Sequence, residues 1–247
     1  MIASLPMYDW PEVRADQERY WRAIREALGT GPAELTRGFD DYPAHWLRPD
    51  LLLSQTCGLP YRTLLHGKVT LIGTPDYGLP AAMPGYYYSV LVVRAQDDRS
   101  QLTDFADEIL AYNEGGSQSG WAAPASHAAG LGLRWTRLLA TGGHRASLRA
   151  VAEGRAAIAG IDAVTWELAL RHDPAARRLR VRERTAPTPG LPCITALGRD
   201  PAPLRHAIAQ AIDTLPADSR DARMLRGIRA IPAAEYLAVP VPAPPSA

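Results

Sequence analysis

Short apolar runs alternate with amphipathic stretches from one end of this chain to the other, and that alternation limits its fold more than any other feature. Ile2–Met7 is a short apolar run, and a helical pattern follows from Ala15 to Leu28. Asp50–Ser54 (DLLLS) is a continuous apolar run bounded by polar residues, the pattern of a strand buried on both faces. Val69–Gly73 repeats it. Strand followed by helix, again and again, predicts an α/β architecture with mostly parallel sheets.

The next run, GYYYSVLVVRAQ (Gly85–Gln96), is β-branched, aromatic and too long for an ordinary edge strand, so it reads as a crossing between two lobes. A second α/β series follows. Leu110–Tyr112 leads into a Gly/Ser turn and a helix, Trp135–Ala140 into another turn and helix, and Ala157–Ile161 into Val164–Arg171. Leu179–Arg184 is its last strand. Pro187, Pro189, Gly190 and Pro192 then oppose helix, and Cys193–Leu197 reads as a return crossing. Helical patterns at Pro203–Leu215 and Ser219–Ile228 precede VPVPAPPSA, an extended, disordered tail. The organisation that fits is a discontinuous first lobe (1–88 and 194–240), a second lobe (89–193) and the tail (241–247).

Composition narrows the partners. A chain of 247 residues, 47% hydrophobic and 21% charged, can bury two modest cores, each near the usual size of about 100–150 residues. The net charge is +1, with acids and bases mixed along the chain, so the basic footprint of a nucleic-acid binder is missing. A small molecule or another protein is the expected partner. No apolar run approaches the roughly 20 residues that span a bilayer. The N-terminus has neither the basic start nor the apolar stretch of a signal peptide, which reads as cytoplasmic, or as periplasmic if a leader was removed. Cys57 and Cys193 are too few for a disulfide framework or a cysteine zinc site and read as two unbridged, partly buried thiols.

The segment YNEGGSQSGWAAP (Tyr112–Pro124) carries the most chemistry. A strand ends in Gly115-Gly116, and Ser117-Gln118-Ser119-Gly120 opens a helix. Glycines let backbone approach a ligand, Ser117 suits the N-cap, and the first helical N–H groups point outward. With the helix dipole and two hydroxyls this makes an anion cradle, though not a P-loop, because the Gly-Lys-Ser/Thr ending is absent. The same residues also read as an ordinary capped helix. Thr141-Gly142-Gly143-His144 repeats the device, with His144 placed to donate from its ring, or to serve as a plain capping residue. Asp162 ends a strand just before a helix and reads either as an N-cap or as an acceptor for a ligand proton. In the first lobe, SQTCGLPY (Ser54–Tyr61) is a fourth strand-to-helix turn carrying Cys57, and Tyr8 follows the first strand. Tyr86–Tyr88 supplies a further hydroxyl or wall, or packing between the lobes. All these turns lie where open α/β sheets bind ligands, outside the carboxyl ends of their strands.

At these residues the chain resembles the phosphate/phosphite/phosphonate substrate-binding family of ABC importers, which has the type 2 periplasmic-binding-protein fold: two α/β lobes joined by two crossing strands. The resemblance rests on YNEGGSQSGW, on GGHRASLRAVAEGRAAIAGID and on TAPTPGLP, and extends over about Ile2 to Asp213. It implies a Venus-flytrap binder that closes on a small phosphorus oxyanion in the cleft. Ser117, Gln118, Ser119 and His144 then hold the oxygens, with Tyr8 and Asp162 completing the pocket; Cys57 is a further ligand-binding candidate from the first-lobe turn itself. Where members of this family often have Thr between the serines, this chain has Gln118.

The resemblance further implies a possible ABC permease as partner, no membrane insertion and no cofactor. Paired carboxylates, a metal-ligand cluster and a nucleophile-elbow motif are all missing from the sequence, so neither catalytic residues nor a metal are expected. The rival expectation is an unexported enzyme of the same fold acting on a phosphorylated or carboxylated metabolite, with Cys57 and His144 as nucleophile and base. A cytoplasmic ligand sensor docking on a protein partner ranks third.

Overall fold

Leu51–Gln55 is buried at every position, so it needs strands on both sides and cover on both faces. The computed structural model, which describes residues 1–246, supplies both. Its strands in chain order are β1 (Ile2–Ala3), β2 (Leu51–Gln55), β3 (Val69–Asp76), β4 (Tyr86–Tyr87), β5 (Ser89–Arg94) and β6 (Leu110–Tyr112). They continue with β7 (Leu138–Ala140), β8 (Ile158–Asp162), β9 (Leu179–Arg184), β10 (Thr188–Pro189), β11 (Cys193–Ala196) and β12 (Gly227–Arg229). The chain forms two units, one from Met1–Tyr86 with Pro189–Ala238, the other from Tyr87–Thr188 with the residues from Val239 onward.

In the first unit the sheet order is β1-β2-β11-β3-β12. The helix Arg14–Leu28 buries Tyr20, Trp21 and Ile24 on one face and stops at Gly29, whose φ of 72° is the left-handed conformation that glycine adopts without strain. It packs against the helix Ala202–Thr214. Under the sheet, Trp46, Leu51, Leu65, Ile194 and Tyr236 form one continuous core.

In the second unit the order is β7-β6-β8-β5-β9. Its core gathers Leu91, Val93, Phe105, Leu110, Trp121, Trp135 and Ile158. β6 is parallel to both neighbours, with Leu110 opposite Leu138 on one side and Ile158 on the other. The carboxyl ends of β6, β7 and β8 therefore lie side by side, and the loops that follow them share one edge of the sheet.

Two expectations are corrected. The sheets are mixed in pairing and not mostly parallel: β5 runs antiparallel to β8 and β9, and β11 antiparallel to β2 and β3. Successive strands stay parallel when a helix carries the chain back across the sheet. β5 and β11 instead enter their sheets directly after the chain passes from one unit to the other, and each slots in reversed between two strands of the α/β series. The predicted helix over Ser219–Ile228 ends at Ala222, and Gly227–Arg229 is a strand paired antiparallel with Thr74–Asp76. Met224 at φ 57° breaks the helix, and Gly73 leaves the space that Ile228 fills, since a Cβ there would stand 2.9 Å from its Cγ1. Among the described residues no helix is long and apolar enough to cross a membrane.

Candidate functional site

β6 ends at Tyr112, and the chain turns through Asn113–Gly116 before Ser117 opens a helix. Ser117 has the extended backbone of an N-cap, and its Oγ accepts the Gly120 N–H at 2.9 Å. Gln118–Ala122 is wound as a single π-helical stretch and continues as α-helix from Ala123 to Gly130. Two glycines set where this helix lies. A Cβ on Gly120 would stand 1.8 Å from Asn113 Oδ1, so only glycine fits against that side chain. A Cβ on Gly160 of β8 would stand 2.4 Å from Pro124 Cγ and 3.1 Å from the Gly120 carbonyl, so the helix rests directly on the strand. Ser89, buried on β5, donates its hydroxyl to the Ser119 carbonyl at 2.9 Å and fixes the loop from beneath.

The second turn, after β7, is laced to the first. Thr141 N–H and Gly142 N–H donate to the carbonyls of Tyr112 and Asn113, each at 2.9 Å. Thr141 Oγ1 lies 2.7 Å from Ser147 Oγ and donates to the Tyr112 carbonyl at 3.0 Å. The helix His144–Ala152 starts here with Gly143 at its N-cap. His144 Nε2 lies 3.0 Å from Ser119 Oγ, so the two loops present a hydroxyl and an imidazole as a bonded pair.

Burial dominates the electrostatics. Desolvation lowers His144 to a pKa of about 4, opposed only by a backbone contact at Gly160, so the ring is neutral at physiological pH. Its Nδ1 is sealed from solvent. The neighbouring Arg145 turns to Asp173, 3.2 Å from Nε, where Arg149 joins it at 3.1 Å. Burial would raise Asp173, but the Ala175 N–H and these two guanidiniums hold it below its ordinary value. The groups that these two loops present at Ser119 are thus hydroxyls, amides and a neutral ring.

Asp162 ends β8 on the same sheet edge as Ser117 and His144, and its Oδ1 accepts the Thr165 N–H at 2.9 Å as N-cap of the next helix. Gln118 is buried in the first turn of its helix. The structure thus brings Ser117, Gln118, Ser119, His144 and Asp162 together at the ends of adjacent strands. Tyr8 and Cys57 belong to the first unit, where they follow the parallel neighbours β1 and β2. Tyr8 holds φ at 62°, an uncommon conformation for a bulky residue, with its ring edge-on to Tyr77 at 5.3 Å. Cys57 is half-buried at the N-cap of a short helix that starts at Gly58. The other thiol, Cys193, is buried and pushed up to about 12, which leaves it a poor nucleophile. In the aromatic run, the Tyr86 hydroxyl donates to Glu235 at 3.2 Å and Tyr88 packs against the Arg184 guanidinium.

Ser89 escapes the sequence reading, as does the hydrogen bonding by which Thr141 and Ser147 lace the second turn to the first. Ser89 left one signal, as the lone polar residue inside the apolar run YYYSVLVV.

An α/β chain in two units, each with its strand-to-helix turns at the carboxyl ends of adjacent parallel strands, is a periplasmic-binding-protein-like fold of the Venus-flytrap class. Solved structures agree in fold. The binding-protein component of an ABC phosphonate transporter from Pseudomonas aeruginosa superposes with a TM-score of 0.71 at 14% identity, over 96% of this chain and 82% of that one. PhnD1 from Prochlorococcus marinus, in complex with methylphosphonate, gives 0.71 at 14% identity over 96% and 94%. A Xanthomonas citri protein bound to chloride ion gives 0.70 at 15% identity over 95% and 92%. No curated protein sequence matches the chain. The sequence profile described as "ABC transporter, phosphonate, periplasmic substrate-binding protein" matches residues 53–235, so the chain belongs to that family of substrate-binding proteins.

Proposed function

We propose that this chain captures a small phosphorus oxyanion (a phosphonate, phosphite or phosphate) at the loop Ser117–Gly120, with Ser119 and His144 as its principal side-chain donors. The observation that carries the reading is the Ser119–His144 pair, 3.0 Å apart at the start of a helix on the shared sheet edge. Helix N-terminal N–H groups and hydroxyls donate to an anion, and the dipole favours its charge. A neutral imidazole donates one further hydrogen bond while leaving its second nitrogen buried. The methylphosphonate complex of the Prochlorococcus marinus relative adds weight to a phosphonate. Asp162 and Gln118 stand beside the loop, and Tyr8 and Cys57 are the first unit's candidates for ligand contact.

By this reading the protein is a non-catalytic capture component that serves an ABC permease from the periplasm. The test is calorimetric titration with phosphate, phosphite, methylphosphonate and 2-aminoethylphosphonate, beside sulfate. Submillimolar, saturable binding of one phosphorus oxyanion is expected. Ser119→Ala or His144→Ala each removes a hydrogen bond to a charged ligand, worth about 1.5–3 kcal/mol, or roughly ten- to hundredfold in Kd. The absence of heat from every one of these anions refutes the assignment. Turnover of a phosphorylated metabolite that Cys57→Ser abolishes would instead favour the enzyme.

A further inference from the structure

The sequence predicts a disordered tail over residues 241–247. From Val239 onward the described chain belongs to the second unit, although Pro189–Ala238 belongs to the first. Its contacts there include two on the hydroxyl loop. Trp121 Nε1 donates to the Ala243 carbonyl at 3.0 Å. Pro245 lies over Gly115 so closely that a Cβ on that glycine would stand 3.1 Å from both Cγ and Cδ of the proline.

Both anchors sit on the loop that carries the hydroxyls. Gly115 lies just before Ser117, and Trp121 lies in the first turns of the helix just after Ser119. The tail is built to present that carbonyl cheaply, because Pro242 and Pro244 flank Ala243 and each fixes its own φ. A cavity of about 220 Å³ remains between the tail and a wall that includes Ala125, Ala128, Leu133 and Trp135. The tail thus leaves part of this wall uncovered, without the dense packing of a core.

We propose that residues 239–246 are an intramolecular strap that docks non-covalently on Gly115 and Trp121 and preorganises the hydroxyl loop for its ligand. Ligand affinity then rises with strap docking, because ordering of the loop is already complete before binding. The bracing itself is independent of what the loop binds. Only its effect on affinity rests on the oxyanion reading.

The experiment is amide hydrogen exchange on the ligand-free, full-length protein, a Pro242→Gly/Pro244→Gly variant, and a chain ending at Ala238. The proline variant keeps every residue of the loop, so it remains informative if the shortened chain folds poorly. Each Pro→Gly change loosens the tail, and together they are expected to speed exchange at residues 116–122 by about tenfold, with the amides of β5 unchanged. The shortened chain is expected to show at least that loss of protection, restored by the added peptide VPVPAPPSA. Undisturbed loop protection in both variants overturns the strap. Titrating the same proteins separates the two readings. Faster exchange with weaker oxyanion binding supports both, while faster exchange in a protein that binds none of the anions keeps the strap and refutes the ligand.

Discussion

Replacing Gly120 with alanine puts a methyl group where Asn113 already is. The new Cβ would stand 1.8 Å from Asn113 Oδ1, 2.7 Å from its Cγ and 3.2 Å from its backbone nitrogen. Overpacking of a buried site costs about 1–3 kcal/mol, and a separation this short belongs at the upper end. Asn113→Ala alone is expected to cost less than about 1 kcal/mol, because the carboxamide oxygen it removes is a buried acceptor without a partner. The double variant removes the two shortest of these contacts and leaves the backbone nitrogen at 3.2 Å. The cost of Gly120→Ala then falls below about 1 kcal/mol, leaving a coupling of roughly 2 kcal/mol between the sites. Urea unfolding followed by tryptophan fluorescence and circular dichroism gives all four corners of the cycle. Thermal midpoints should fall by about 4–12 °C for the single glycine variant, at 2–4 °C per kcal/mol for a chain of this size. Equal costs of Gly120→Ala with and without Asn113 would refute the argument that this contact is what demands glycine.

Two further predictions follow from single groups. His144 has a folded pKa of about 4 against an ordinary value of 6.5, so between those values the unfolded chain binds more protons than the folded one. Stability is therefore full above about pH 6.5 and declines as pH falls toward 4, by roughly 1–3 kcal/mol. His144→Gln should flatten that part of the urea-midpoint profile, and an unchanged slope would place the titration elsewhere. Asp162→Ala should cost about 0.5–2 kcal/mol through loss of the cap to Thr165, while Asp162→Asn keeps the cap and the stability. If the Asn variant also keeps full ligand affinity in calorimetry, the carboxylate is a cap and takes no part in binding.

The α/β series was legible because its signals are local. Apolar runs such as DLLLS need burial on both faces, and each amphipathic stretch needs one. The turns at Ser117, His144 and Asp162 were legible for the same reason, since N-capping is decided within a few residues. The β12 strand was not, because Ser219–Ile228 carries a helical pattern and only the open edge of β3 recruits Gly227–Arg229 into a sheet. β5 and β11 were legible as strands, but their reversed direction was not, since direction depends on what the chain has traversed and not on the strand's own composition.

By itself, then, the sequence determined the succession of strands and helices, the glycine-opened turns and the donor groups placed on them, all of which follow from short-range backbone and burial preferences. Tertiary structure alone decided the rest. It chose glycine at 120 and 160 through the close approach of Asn113 and Pro124. It set Ser89 beneath the loop from 30 residues away and paired Ser119 with His144 from 25. It also turned Arg145 toward Asp173 and laid Ala243 against Trp121. These contacts join residues distant in sequence, and packing distances of that kind are fixed only once the sheet has assembled its strands side by side.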